Sequence, residues 1–197
     1  MKKYLLLGVL VVCIVSVSFA QFGIKAGLVG GSFTGDDKQL SYGFDPQINK
    51  ALAAGLTYNI HLFWWFSLQP EVMYIQRGGV YENDAFTNTY KLDYAEVPVA
   101  LRFTIPLLII DVFAEGGASY GWLVSAKLKE ETPTSTDEYS IKDGMTKNDL
   151  LYFIGGGVRF LFLEADARYM VGQRKLLADN DMKIYNRDAV VTVGIVF

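Results

Sequence analysis

The residues best placed to do chemistry in this chain are charged side chains that recur on one face of alternating segments. Glu71, Arg77, Glu96, Arg102, Glu115, Arg159, Glu164, Asp166 and Arg168 share that face, diluted by Gly, Ala and Ser. Carboxylates and guanidiniums so arranged can do three things. A pair drawn from Glu71, Glu96 and Glu115 could act as a glycosidase acid and base, but this needs one raised carboxyl and an open cleft, and no motif supplies either. The set could line a narrow ion path or a ligand pocket. It could instead neutralise itself in an enclosed interior, because buried charges must be paired. The third reading is preferred, with Glu71, Glu96, Arg102, Glu115, Arg159, Glu164 and Arg168 as a structural charge network.

Other candidates carry less. His61 is the only histidine, it lies in an aromatic turn, and no base-orienting partner is apparent. Gly155-Gly156-Gly157 is not a phosphate loop, since no helix follows and no lysine stands at the required place. The acidic stretch 129–138 lacks the Asp-x-Asp-x-Asp-Gly order of a calcium loop. No zinc-ligand spacing occurs. The chain is therefore read as non-enzymatic, with no catalytic, cofactor-binding or metal-binding residue and no cofactor.

These side chains need elements to hold them. The 197 residues are 51% hydrophobic, 14% aromatic and 20% charged, which suits one folded domain and excludes disorder and a disulfide scaffold. A net charge of −3 leaves no footprint for nucleic acid. Met1-Lys2-Lys3, an apolar run from Tyr4 to Val15 and Ser18-Phe19-Ala20 form the three regions of a signal peptide over residues 1–20, with Gln21 as the mature start. A membrane anchor is the competing reading, as the segment is nearly long enough to span. Val11-Val12 before Cys13 does not make a lipobox. Cys13 then leaves with the signal, and the mature domain, 21–197, has no thiol chemistry.

From Gln21 the apolar pattern has period 2, not 3.6. Eight strands are predicted, at about 22–33, 50–60, 66–77, 91–105, 111–127, 150–160, 163–173 and 188–197. Pro70 and Pro98 fall within two of them and should mark bulges or strand ends, since proline cannot donate to a ladder. The connections at about 34–49, 78–90, 128–149 and 174–187 are long and polar, while those after strands two, four and six are short. Long loops at one end and short turns at the other is the pattern of outer-membrane barrels.

Side-chain size decides which face is outside. The charged face is rich in small residues and suits a narrow lumen. The other face is almost free of charge, is heavy in Val, Leu, Tyr, Phe and Trp, and suits lipid. Phe63, Trp64, Trp65, Phe66 and Phe197 read as a periplasmic aromatic girdle. Phe197, with apolar residues at alternate positions before it, resembles the terminal signal read by the outer-membrane assembly machinery. The expected fold is thus all-β, an eight-stranded antiparallel up-and-down transmembrane β-barrel with short periplasmic turns and long extracellular loops.

Three blocks carry a family resemblance: Gly23-Ile24-Lys25-Ala26-Gly27-Leu28, Phe66-Ser67-Leu68-Gln69-Pro70-Glu71-Val72-Met73-Tyr74 with Gln76-Arg77-Gly78, and Tyr94-Ala95-Glu96-Val97-Pro98-Val99-Ala100-Leu101. With Phe113-Ala114-Glu115-Gly116-Gly117 and Gly156-Gly157-Val158-Arg159-Phe160, the chain resembles the PorT-like outer-membrane β-barrel family of Bacteroidota. Ala95 departs from it, standing where a bulkier apolar residue is usual. The resemblance implies an eight-stranded barrel and little about activity, although the namesake is associated with type IX protein secretion.

The expectation is a small integral barrel of the bacterial outer membrane, with a largely closed, charge-networked lumen and a structural or surface-interaction role. The alternatives are an outer-membrane accessory of protein secretion, or a narrow channel or ligand-binding barrel. The expected partners are outer-membrane lipid, the assembly machinery acting through the strand that ends at Phe197, and an unidentified periplasmic or surface protein.

Overall fold

The computed structural model describes residues 20–35, 51–83, 86–131, 136–142, 145–174 and 184–197. The expected signal segment 1–20, apart from Ala20, and most of the expected loops 34–49 and 174–187 lie outside the described residues. Strands β1 (Ala20–Gly35), β2 (Ala51–Phe63), β3 (Phe66–Asn83), β4 (Phe86–Leu107), β5 (Ile110–Glu131), β6 (Thr136–Ser140), β7 (Asn148–Phe160), β8 (Leu163–Gly172) and β9 (Ile184–Val196) form one antiparallel sheet. Eight of them close a ring, in the order β1-β2-β3-β4-β5-β7-β8-β9 and back to β1. Closure removes the open edges that hydrocarbon cannot satisfy.

The ring has the eight strands expected, and a ninth strand lies outside it. β6 lies within the stretch read as a solvated loop and pairs with the far end of β5, from Lys127↔Ser140 to Glu131↔Thr136. It extends one stave and takes no part in the ring. The stretch 78–90 was likewise expected to be a loop, yet β3 and β4 run through it as a paired ribbon down to Asn83↔Phe86. β4 and β5 reach 22 residues each, whereas a tilted strand needs only about 9–11 to span a bilayer. Above the membrane both faces of a ribbon meet water, so polar residues can continue a strand there without breaking it.

The prolines also behave differently from expectation. Pro70 pairs with Val99 and Pro98 with Ser119, and the register is the same on either side of each. The register shifts fall at His61/Phe63 and Asp93/Tyr94 instead. A missing N–H removes one ladder bond, and the neighbouring bonds on both sides hold the strand in line.

Alternation sets the faces. On β3, Ser67, Gln69, Glu71, Met73, Ile75 and Arg77 are buried inside, while Val72 and Tyr74 are exposed outside. The outward apolar band begins at the turns and continues for about ten residues up each strand, which at the usual tilt covers about 25 Å. Two-residue turns at Trp64-Trp65, Leu108-Ile109 and Leu161-Phe162 join β2–β3, β4–β5 and β7–β8. Each has a bulky residue in the left-handed region, with φ of 47° at Trp64, 36° at Leu108 and 55° at Leu161.

Candidate functional site in the lumen

Inward residues on facing strands meet across the ring, and here they form two charged layers. In the layer nearer the turns, Arg102 on β4 binds Glu164 on β8 through both Nη atoms, at 2.8 and 3.0 Å. The same guanidinium donates to Glu115 Oε2 on β5 at 3.0 and 3.2 Å. Arg168 on β8 grips Glu71 on β3 in a fork, at 2.6 and 2.7 Å, and its Nε donates to Glu115 Oε1 at 2.5 Å. Lys25 on β1 donates to Glu71 at 3.0 Å and lies 3.6 Å from Asp166. Gln69 and Thr192 complete the layer, donating to Glu71 and Asp166 at 2.7 and 2.5 Å. Charge-assisted forks of this kind fix both distance and orientation.

The aromatic floor of this layer depends on glycine. The Arg102 guanidinium lies 3.7 Å from the centre of the Phe113 ring, and Arg168 lies 4.9 Å from Phe153. A Cβ on Gly157 would lie 2.5 Å from Phe113 Cζ, and one on Gly117 would lie 2.7 Å from Phe153 Cζ. The two glycines therefore make the space that the rings fill, and each ring supports an arginine by a cation–π contact.

A second layer lies nearer the loops. Arg77 on β3 pairs with Glu96 on β4 and Asp188 on β9 and stacks on Tyr94 at 5.0 Å. Ser119 donates to Glu96 at 2.9 Å, and Asn186 donates to Asp149 at 2.7 Å. Arg77 Nη2, Asp149 Oδ1 and Asn186 Oδ1 have no hydrogen-bond partner among the described residues.

Between the layers the lumen is apolar. Val29, Met73, Ile75, Leu151, Phe153, Met170 and Val190 pack into one buried cluster with Ala53 and Ala100. Above the second layer, Leu92, Tyr94, Leu123 and Ala126 form another cluster, onto which Ile141 and Met145 fold. Hydrogen bonds from Ile141 N to Ala126 O at 3.0 Å and from Leu123 N to Lys147 O at 2.8 Å tie that segment down.

The structure thus brings Glu71, Arg102, Glu115, Glu164 and Arg168 into one network and puts Glu96 in the other. Arg159 joins neither. It stands one residue above the β7–β8 turn, where its side chain is 22% exposed and pairs with Asp111 at 2.6 Å, while Gln21 accepts from it at 2.5 Å. It is a rim residue, and its expected place in the network is corrected accordingly. Lys25, Asp149, Asn186 and Asp188 are the members that the charge pattern alone did not single out. Lys25 and Asp188 carry the signal of an inward position, while Asp149 opens a strand whose start lay inside an expected loop.

The carboxylates that could supply an acid–base pair are buried and not in a cleft. Glu71, Glu96 and Glu115 are 2%, 1% and 6% exposed and each is held by arginine. His61 is exposed, and its Nε2 lies 3.1 Å from the Trp64 carbonyl. Among the described residues no group of three His, Cys, Asp or Glu is arranged to hold a metal. At the turns, Phe63, Trp65 and Phe66 cluster with Phe103, with ring centres 5.2–5.7 Å apart. Trp64 is exposed beside them, and Phe197 is exposed next to β1, its N–H bound to Phe22 O at 2.7 Å.

No curated protein matches the chain. Among solved structures, the chain is similar to Ail of Yersinia pestis, in complex with the heparin analogue sucrose octasulfate, at 18% identity and a TM-score of 0.46, covering 90% of this chain and 99% of that one. It is similar to Neisserial surface protein A at 8% identity and a TM-score of 0.48, covering 90% and 97%. A third similar structure is the N-terminal β-barrel domain of Pseudomonas aeruginosa OprF, at 10% identity, a TM-score of 0.39 and the same coverage. The family model of the outer membrane protein β-barrel domain matches residues 16–177. With a closed antiparallel ring that is apolar outside and charged within, this chain belongs to the outer membrane protein β-barrel domain family.

Proposed function

We propose that this protein is a non-enzymatic outer-membrane barrel with a sealed lumen, whose work is done at its outer surface by the ribbon of β3 to β6 and the loops around it. The observation that carries this is the stacking of the lumen: a charged layer, an apolar layer, a second charged layer and an apolar cap. An ion crossing it would have to shed water against Met73, Leu151, Phe153 and Met170, which offer no replacement ligands. The ion pairs crossing from β8 to β3 and β4 brace opposite walls.

Within the family, the Gly23–Leu28, Phe66–Gly78 and Tyr94–Leu101 blocks support a PorT-like member from a Bacteroidota species. Export with removal of residues 1–20 would cost only the terminal Ala20↔Ile60 pair and leave the barrel to begin at Gln21↔Asn59. The alternation of β9 up to Phe197 supports its reading by the assembly machinery.

Planar-bilayer recording of the purified full chain tests the sealed lumen. No stepwise conductance is expected. Reproducible openings that a Phe153→Ala variant enlarges would favour the channel reading instead.

A further inference from the structure

The periplasmic turns carry a signal that a girdle alone does not explain. Leu62 to Phe66, Ile105 to Ile110 and Phe160 to Leu163 contain no charged side chain, and the indole N–H groups of Trp64 and Trp65 are their only polar side-chain atoms. Trp64 is 87% exposed, Ile109 and Leu161 are 69% exposed, and Leu108 is fully exposed. Two-residue hairpin turns favour Asn-Gly, which takes positive φ without strain and faces water well. Here Trp64, Leu108 and Leu161 occupy the positive-φ positions. Apolarity has been kept where turn chemistry argues against it.

At two of these turns, β2–β3 and β7–β8, the backbone is also supplied from within. His61 Nε2–H donates to Trp64 O at 3.1 Å, Thr104 N–H to Trp65 O at 2.8 Å, and Val196 N–H to Phe162 O at 2.8 Å. Turns in water can leave such carbonyls to solvent, whereas in lipid every one must find a protein donor.

We propose that the periplasmic base of the barrel is sunk into the inner leaflet, so that phospholipid acyl chains surround all three turns. Two features favour lipid over a protein cap. The apolar side band runs into the turns without a break, through Val112 and Ile110 on β5 and Val158 and Phe160 on β7. The turns also form a ring around a polar centre, where Arg159 donates to both Asp111 and Gln21 at the lumen mouth. A protein cap would bury that centre, whereas an annulus of lipid leaves it wet.

Photo-crosslinking in cells tests this. A benzophenone amino acid replaces Leu108 or Phe162 in the full chain, with Val72 as the lipid-facing control and Tyr139 as the extracellular one. Adducts at the turns should match those at Val72 and carry the mass of a phospholipid. A protein adduct absent at Val72, or no adduct as at Tyr139, would overturn the proposal. A second measurement uses native probes. In Trp122→Phe only Trp64 and Trp65 remain of the three tryptophans. In vesicles of phosphatidylcholine brominated in mid-chain, their emission should fall by more than half. Quenching no greater than that of a Tyr139→Trp probe, placed in a background lacking the three native tryptophans, would also overturn it.

Discussion

Arg168 shows how much one inward side chain can hold together. Among the described residues it is the one arginine that bridges Glu71 to Glu115, partners 97 and 53 residues away in the chain. Arg168→Met would leave both carboxylates undercompensated in a buried site, and the expected loss is about 3–5 kcal/mol, read as a lower urea midpoint for the vesicle-folded protein. Adding Glu71→Gln and Glu115→Gln should recover most of it, since the cost lies in the stranded charges. The glycines make a second test at the same scale. A Cβ on Gly157 would lie 2.2 Å from Ala165 O and 2.5 Å from Phe113 Cζ, whereas one on Gly116 meets nothing nearer than 3.7 Å. Gly157→Ala should therefore cost about 1–3 kcal/mol through overpacking, and Gly116→Ala should be close to neutral in the same unfolding assay. His61→Ala removes the donor to Trp64 O. In lipid no water replaces it, so a loss of about 1–3 kcal/mol is expected.

At the scale of elements, the outward extensions were the least legible part of the sequence. Of the expected loops at 78–90 and 128–149, residues 78–83, 86–90, 128–131, 136–140 and 148–149 are strand, because polar residues such as Lys129 and Glu138 sit on a ribbon in water, where alternation no longer has to be apolar. The Lys127–Glu138 pair, at 2.6 Å, joins β5 to β6. The hydrogen bond and the charge of Lys127 hold the Glu138 carboxyl below its usual range, and the same contact raises the Lys127 ammonium. A depressed carboxyl contributes stability above its unfolded value of about 4.3, and that contribution disappears as pH falls through the lower folded value. Amide exchange in Thr136–Ser140, corrected for its intrinsic pH dependence, should therefore lose a little protection below pH ~4, with no matching change in β7. The pair is solvent-exposed, so the effect should shrink further in high salt.

At the scale of the whole molecule, everything depends on β9 closing the ring between β1 and β8. Removing residues 184–197 would leave two unpaired strand edges in hydrocarbon. The truncated chain should show no heat-dependent shift in mobility on SDS gels, whereas the full chain should shift on boiling. A full chain that never shifts would contradict a folded membrane barrel. Closure also makes the interior small. Eight staves leave just enough room for side chains, so the two charged layers and the apolar layer between them fill the lumen.

The alternating pattern by itself determined the barrel, its inside and outside, and the short turns at one end. Period 2 assigns each residue to a face, and lipid and a narrow lumen demand opposite residue types there. The charged set on the inner face was legible for the same reason. Only the tertiary structure decided who pairs with whom. Glu71 and Arg168 meet across the ring because closure brings β3 opposite β8, and no local spacing encodes that. It also moved Arg159 to the rim, added Lys25 and Asp188 to the interior, and separated one expected network into two. Height along the barrel depends on strand ends and register, and those are set by turns and cross-strand pairing, not by the identity of any one residue.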